Sequence, residues 1–140
     1  MFIALAVVGC SSSGGEASMS APQAPLTPTF SNVYTTIIAR RCTPCHTIQG
    51  EIGITEGELD MTSQAAAYLN LVGIEAAGMF CGGKGVRVTP GSPKDSILYL
   101  KTDREDPAPC GSKMPLGGPP LSAADAALIQ AWISAGANSD

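Results

Sequence analysis

The chain has 140 residues, enough for one domain, with 12 acidic and 8 basic residues and a net charge of −4 at neutral pH. The acidic residues are scattered, and no basic stripe could follow a phosphate backbone, which argues against a nucleic-acid partner. Aromatic residues make up only 5% of the chain, so apolar side chains are few for a folded domain with long loops.

The N-terminus predicts a signal peptide of the lipoprotein type over residues 1–9. The run from Met1 to Cys10 is apolar and uncharged, and it is too short to cross a bilayer as a helix. Residues 7–10, Val-Val-Gly-Cys, resemble a bacterial lipobox, which would make Cys10 the lipid-modified N-terminus of the mature protein. No Lys or Arg precedes the run, whereas secretory signals have a basic start. An ordinary secretory remnant is therefore the alternative.

Residues 10–28 predict a flexible tether between this lipid and the folded domain. They are rich in Ser, Gly, Ala and Pro, and such a composition cannot bury a core. The folded domain is accordingly predicted over residues 29–140.

The first predicted helix runs from about Ser31 to Cys42, because apolar residues recur there at helical spacing. Its C-terminal end leads into the stretch Cys-Thr-Pro-Cys-His at residues 42–46. Two cysteines at this spacing can add their thiols to the two vinyl groups of one porphyrin, and the next histidine can bind the iron. His46 is the only histidine in the chain. The motif therefore predicts one covalent haem c, with thioethers from Cys42 and Cys45 and His46 on the iron.

Three further helices are predicted from start and stop patterns. The second begins at Thr62 or Ser63 and ends at Gly73, the third begins with Ser92 as its N-cap, and the fourth begins with Ser122 as its N-cap and ends before Gly136. Residues 86–88 could form a short β-ribbon. The predicted fold class is all-α, a small helical domain with long loops wrapped around one covalent haem, which would supply the missing core.

The remaining cysteines predict a disulfide. With Cys10 assigned to a lipid and the motif to haem, Cys81 and Cys110 are left, and they would pair in an oxidising compartment. A free buried cysteine is the alternative for either thiol. A zinc site needs four ligands in close pairs, which the spacing does not supply. A thioredoxin-like motif needs a preceding strand, where a helix is predicted.

Several stretches beyond the haem motif resemble a class I-like monohaem cytochrome c, and more closely a bacterial group of lipid-tethered cytochrome c domains. The resemblance covers about residues 29–137. The stretches that carry it are GELDM at 57–61, VTPGSP at 88–93, SILYLK at 96–101, CGSKMPLGG at 110–118 and the closing helix with Trp132. It implies a small cytochrome c fold and a second axial ligand in the loop before the last helix.

Met114, followed by Pro115, stands where this family has its axial methionine. The residues favour a methionine as well, because no second histidine exists. Excluding the signal and the tether leaves Met61, Met79 and Met114, of which we predict Met114. Pro115 would stiffen the loop around its thioether.

Other roles are left open by the residues. The family's proline loop after the histidine is replaced by Thr-Ile-Gln-Gly at 47–50, so the hydrogen-bond partner of His46 is not identified. Trp132 is expected to pack in the core, against Tyr34 or Ile37. Arg87 and Lys101 could pair with haem propionates, although exposed surface positions are the default expectation for both.

The resulting expectation is a periplasmic one-electron carrier rather than an enzyme, with redox proteins as partners and contact with the membrane only through the N-terminal lipid. Ser11 after the lipobox cysteine favours the outer membrane. The alternative is a haem-based sensor or gas-binding module with a labile sixth site. A dihaem peroxidase would need a second attachment motif, which the sequence does not contain.

Overall fold

A computed structural model describes residues 25–47, 52–103 and 107–140. Within these ranges the chain forms five helices and no extended strand. The fold is therefore helical, as the predicted all-α class requires. The predicted signal peptide, Cys10 and most of the tether lie outside the described residues, as do residues 48–50 of the stretch after the haem motif. None of the helices in the described ranges is long and apolar enough to span a membrane.

Helix α1 begins as an α-helix over Phe30–Val33 and continues as a π-helix over Tyr34–Cys42, in agreement with the predicted bounds. The side chain of Thr29 accepts a hydrogen bond from the backbone of Asn32 and caps its start. Residues 35–38 are Thr-Thr-Ile-Ile, all β-branched and weak α-helix formers, so tertiary packing has to hold this segment.

Two helices follow the haem motif. Helix α2, Ile52–Thr55, was not predicted, because four residues are too few to show a periodic pattern. Helix α3 spans Gln64–Leu71, and its N-cap is Ser63, whose side chain accepts from the backbone N–H of Ala66. The predicted second helix is thus confirmed.

The prediction of one continuous helix beginning at Ser92 is wrong. Pro93–Asp95 form a 3₁₀ turn, and helix α4 begins only at Ile97 and runs to Thr102. Ser96 separates the two. Its hydroxyl is fully buried, donates to the carbonyl of Ser92 at 2.8 Å and accepts from the backbone N–H of Thr89 at 2.8 Å. These local bonds compete with the helical pattern and break it.

The predicted ribbon at residues 86–88 is reduced to two isolated bridges. Val88 pairs with Val72 in parallel, and Val86 pairs with Glu75 in antiparallel fashion. The opposed directions prevent the two pairings from continuing into one ladder.

Helix α5, Ala123–Ser134, closes the fold as predicted, with Ser122 as N-cap and Gly136 in the left-handed region at φ 104°. Trp132 is buried in the core as expected, and its indole N–H donates to the carbonyl of Asn138 at 3.0 Å. The ring of Phe30 in α1 lies against it, with centroids 5.0 Å apart and a tilt of 36°. Tyr34 and Ile37 belong to the same core cluster. The contact between α1 and α5 holds the helix whose end leads into residues 42–46.

Candidate functional site

A cavity of about 480 Å³ lies between the end of α1, α2, α4 and the loop before α5. Cofactor and ligand sites commonly have volumes of about 300–1,000 Å³. Its surface is mostly apolar. The four residues predicted to hold haem and its iron all line it: Cys42, Cys45, His46 and Met114.

The two motif cysteines lie on the turn that ends α1. The backbone N–H groups of Cys45 and His46 both donate to the carbonyl of Cys42, at 3.1 and 2.9 Å, which folds the motif into one tight turn. Neither Cys42 nor Cys45 forms a disulfide. Burial raises the pKa of the Cys42 thiol to about 11, only partly offset by the charge of Arg41. Cys42 is therefore a neutral thiol at pH 7.

The imidazole of His46 is oriented by a backbone carbonyl. Its Nδ1 lies 3.0 Å from the carbonyl oxygen of Leu59. Because a carbonyl can only accept, Nδ1 carries the proton and donates, which leaves Nε2 unprotonated and able to bind a metal. Burial lowers the pKa of His46, and the hydrogen bond to Leu59 opposes that shift. Leu59 is the partner that the sequence left unidentified.

Gly53 of α2 packs directly against this histidine, and sequence reasoning missed it. A Cβ at this position would lie 2.5 Å from the carbonyl oxygen of Cys45 and 2.6 Å from Nδ1 of His46. Only glycine leaves room for the ring. The sequence held one indication of this role: a single glycine stands between two isoleucines, Ile52 and Ile54, where no turn is expected.

Arg87 supports the segment that carries Leu59. Its guanidinium donates to the carbonyl of Glu58 at 2.7 Å and to that of Asn70 at 2.9 Å. Glu58 adopts φ 48°, in the left-handed region that non-glycine residues seldom occupy. The default expectation of a surface position is wrong for Arg87, which is only 6% exposed. The two carbonyls replace the water that a buried cation loses.

The structure distinguishes the three candidate methionines. Met79 is 73% exposed and is not among the residues that line the cavity. Met61 lines the cavity but belongs to the hydrophobic core, and its backbone N–H donates to the carbonyl of His46 itself at 2.9 Å. Met114 comes from a separate segment, is half-buried and also lines the cavity. The Met114–Pro115 peptide bond is cis.

Cys81 and Cys110 are joined, with sulfur atoms 1.98 Å apart and Cα atoms 5.3 Å apart. Cys81 lines the cavity, and Cys110 begins the segment that leads to Met114. The bond occupies two of the four thiols that a zinc site built on the domain's cysteines would need.

The cavity carries an excess of positive charge in an acidic protein. Among the residues that the structure describes, its lining includes four basic side chains and one acidic side chain, that of Glu56; the basic ones are Arg40, Arg41, Arg87 and Lys101. The whole chain has a net charge of −4. The arrangement favours a ligand with an apolar body and anionic groups.

No protein-family model, curated protein or solved structure matches this chain. Within the ranges that the structure describes, no three or more His, Cys, Asp or Glu side chains group to bind a metal ion. A thioether-linked haem does not need such a group, because one His and one Met complete the iron coordination.

Proposed function

We propose that this chain is a monohaem cytochrome c that carries one electron at a time, and that it is not an enzyme. The haem would be attached through Cys42 and Cys45, with His46 and Met114 as axial ligands. The observation that carries the proposal is the cavity, whose lining includes these four side chains from two distant segments.

The cavity fits this cofactor in size, polarity and charge. Its volume of about 480 Å³ and mostly apolar surface suit a porphyrin, and its basic side chains suit two propionates. Arg87 is the strongest candidate for a propionate partner, because it is a buried cation held by neutral carbonyls. Bound haem would supply an iron centre that cycles between Fe(II) and Fe(III).

The chain's own groups favour electron transfer over substrate chemistry. The proton of His46 is held at Nδ1 by Leu59, which leaves Nε2 as the ligand atom. Met114 would fill the opposite coordination position, so no open site would remain for a substrate. The mostly apolar lining would leave few polar groups to rearrange when the charge of the iron changes.

The proposed location is the periplasm, with a lipid on Cys10 anchoring the domain, in the outer membrane if Ser11 directs sorting there. Redox proteins would dock briefly through a small interface. These proposals rest on the lipobox and the tether in the sequence.

The decisive experiment is a pyridine haemochrome spectrum of the protein produced with the haem-maturation machinery. We expect the spectrum of a haem with two thioethers, and mass spectrometry should show haem bound to the chain. Cys42→Ala and Cys45→Ala should each shift the spectrum to that of a single thioether or abolish attachment. Pro44→Ala, an exposed change between the two cysteines, is the matched control and should retain both bonds. A colourless protein that contains zinc would contradict the proposal.

A haem-based sensor is the second candidate, and one observation favours it. Met114 is only half-buried, and residues 116–120 that follow it are exposed. A carrier should bind CO slowly in the reduced state because Met114 has to leave first, whereas a sensor should bind CO rapidly. The far-red charge-transfer band of Met–Fe(III) should be present in the wild type and lost in Met114→Ala if the carrier proposal holds.

A further inference from the structure

We infer that Lys101 is a positioning residue that holds the segment carrying Met114 against the cavity. The inference rests on the proposed function, because it concerns how firmly the thioether is kept in place as a ligand. Lys101 lies in α4 and lines the cavity, and its side chain points to the loop before α5.

The ammonium of Lys101 bonds that loop at two carbonyls. Its Nζ donates to the carbonyl oxygen of Cys110 at 2.7 Å and to that of Ser112 at 2.8 Å. It also lies 3.7 Å from the sulfur of Cys81, the disulfide partner of Cys110. A lysine ammonium has three N–H donors, so these contacts use its full capacity.

The backbone of the same residue bonds the ligand residue itself. The carbonyl of Lys101 accepts from the N–H of Met114 at 2.9 Å. Lys101 therefore contacts the loop at residues 110, 112 and 114. The three contacts at alternate residues fix the path of the chain up to the proposed iron ligand.

A second lysine, Lys113, lies in the loop and bonds carbonyls of α4. Nζ of Lys113 donates to the carbonyl of Leu100 at 2.8 Å and to that of Asp103, both at the C-terminal end of α4. Cations are favoured at this end of a helix. Lys113 is only half-buried, and it bonds α4 rather than the loop's own carbonyls. Lys113 thus anchors the loop at one residue, whereas Lys101 bonds it at residues 110, 112 and 114.

Charge makes these contacts stronger than ordinary hydrogen bonds, because an ionised donor bonds a carbonyl more tightly than a neutral one. Without the ammonium, the carbonyls of Cys110 and Ser112 lose their partner and the loop gains freedom. Met114 would then compete less well with an added ligand for the iron.

The experiment titrates imidazole into the ferric haem-loaded protein and records the far-red Met–Fe(III) band. Lys101→Met keeps the length of the side chain but removes the charge. We expect the band to weaken and the imidazole Kd to fall about tenfold or more, as the loss of a charged hydrogen bond implies. Lys101→Arg, which can donate to both carbonyls, should recover most of the wild-type affinity.

Lys84→Met is the matched control, because Lys84 is an exposed lysine in the loop that follows Cys81. It should leave the band and the imidazole Kd unchanged. A purely structural role for Lys101 would lower the melting temperature without changing ligand affinity in the folded protein. That outcome, or a wild-type Kd and band in Lys101→Met, would overturn the inference.

Failure of the inference can be distinguished from failure of the proposed function. A wild-type protein without haem, or without the Met–Fe(III) band, would overturn the proposed function and the inference with it. If Lys101→Met does not give folded haem-loaded protein, Lys101→Gln keeps one donor group and should give an intermediate Kd. A wild-type Kd in that variant would also overturn the inference.

Discussion

The two sides of the cavity are built on different principles. On the side of His46, a main-chain carbonyl and a buried glycine fix the ring: Leu59 accepts from Nδ1, and Gly53 leaves no free space against it. On the side of Met114, two half-exposed lysines and a disulfide hold a surface loop.

The two sides should therefore tolerate different changes. A Cβ added at Gly53 would lie 2.5 Å from the carbonyl oxygen of Cys45, and the clash could be relieved only by moving the backbone. Lysine contacts at the surface can be replaced partly by water. We therefore expect changes near His46 to be costly wherever they touch buried groups, and changes near Met114 to be graded, apart from the disulfide.

The largest expected effect lies on the Met114 side, where the disulfide is the one covalent restraint. Replacing both cysteines in a Cys81→Ala, Cys110→Ala variant releases a closure of 29 residues. The chain-entropy model gives a loss of about 3–4 kcal/mol in the free energy of unfolding. Urea unfolding followed by circular dichroism measures it.

A thiol reductant supplies the control for this prediction. It should lower the urea midpoint of the wild type and leave the double variant unchanged, since the proposed thioether bonds at Cys42 and Cys45 would not be reduced. An unchanged midpoint for the reduced wild type would contradict a stabilising role for the disulfide.

The next prediction compares two cations: Arg87, which is buried on the His46 side, and Lys101, which is half-exposed on the Met114 side. Arg87→Met leaves the carbonyls of Glu58 and Asn70 without a charged donor, and should cost about 1.5–3 kcal/mol. Lys101→Met should cost less, because Lys101 is half-exposed and water can reach the carbonyls it leaves. Equal losses in urea unfolding would show that burial does not distinguish the two sides.

A smaller effect tests the tight packing against the imidazole. Gly53→Ala forces a Cβ against the backbone of Cys45 and the ring of His46, and overpacking of this kind costs about 1–3 kcal/mol. Haem attachment should fall as well, because the ring would be displaced. Gly118→Ala is the control on the other side: its Cβ would meet only Pro115, at 3.7 Å. If both variants attach haem equally, the close contact at Gly53 is not needed for haem attachment.

The sequence predicted the helices wherever their ends carry a cap. Ser63 and Ser122 cap α3 and α5 as expected, because an N-cap depends only on residues three positions away. The break at Ser96 could not be predicted, since it depends on a buried hydroxyl bonding Thr89 and Ser92. Helix α2 has only four residues, little more than one helical turn, which is too few to show a periodic pattern.

The candidate site divides in the same way. The Cys-Thr-Pro-Cys-His motif is local, so its spacing alone predicts Cys42, Cys45 and His46 as haem-binding residues. The partner of His46 is not local: Leu59 lies 13 residues further on, and only its main chain takes part. A main-chain contact leaves no trace in the identity of the side chain. Arg87 was misjudged for a related reason, because its hydrogen bonds go to backbone carbonyls, whose positions the sequence does not reveal.

The smallest expected effect is a pH dependence that belongs to the His46 side. The carboxylate of Asp60, next to Leu59, accepts from the backbone N–H of Thr62 at 2.8 Å and from its hydroxyl. These hydrogen bonds hold the pKa of Asp60 below its usual 3.8. Because the folded pKa is the lower one, the stabilisation is complete above the unfolded pKa and is lost as pH falls through the folded value. Acid should therefore loosen the turn that follows Leu59, the hydrogen-bond partner of His46. Asp60→Asn should remove this part of the acid dependence of the urea midpoint, and Glu75→Gln, at an exposed position, should not. If the urea midpoint falls with acid equally in Asp60→Asn and in the wild type, the hydrogen bonds of Asp60 do not stabilise this part of the fold.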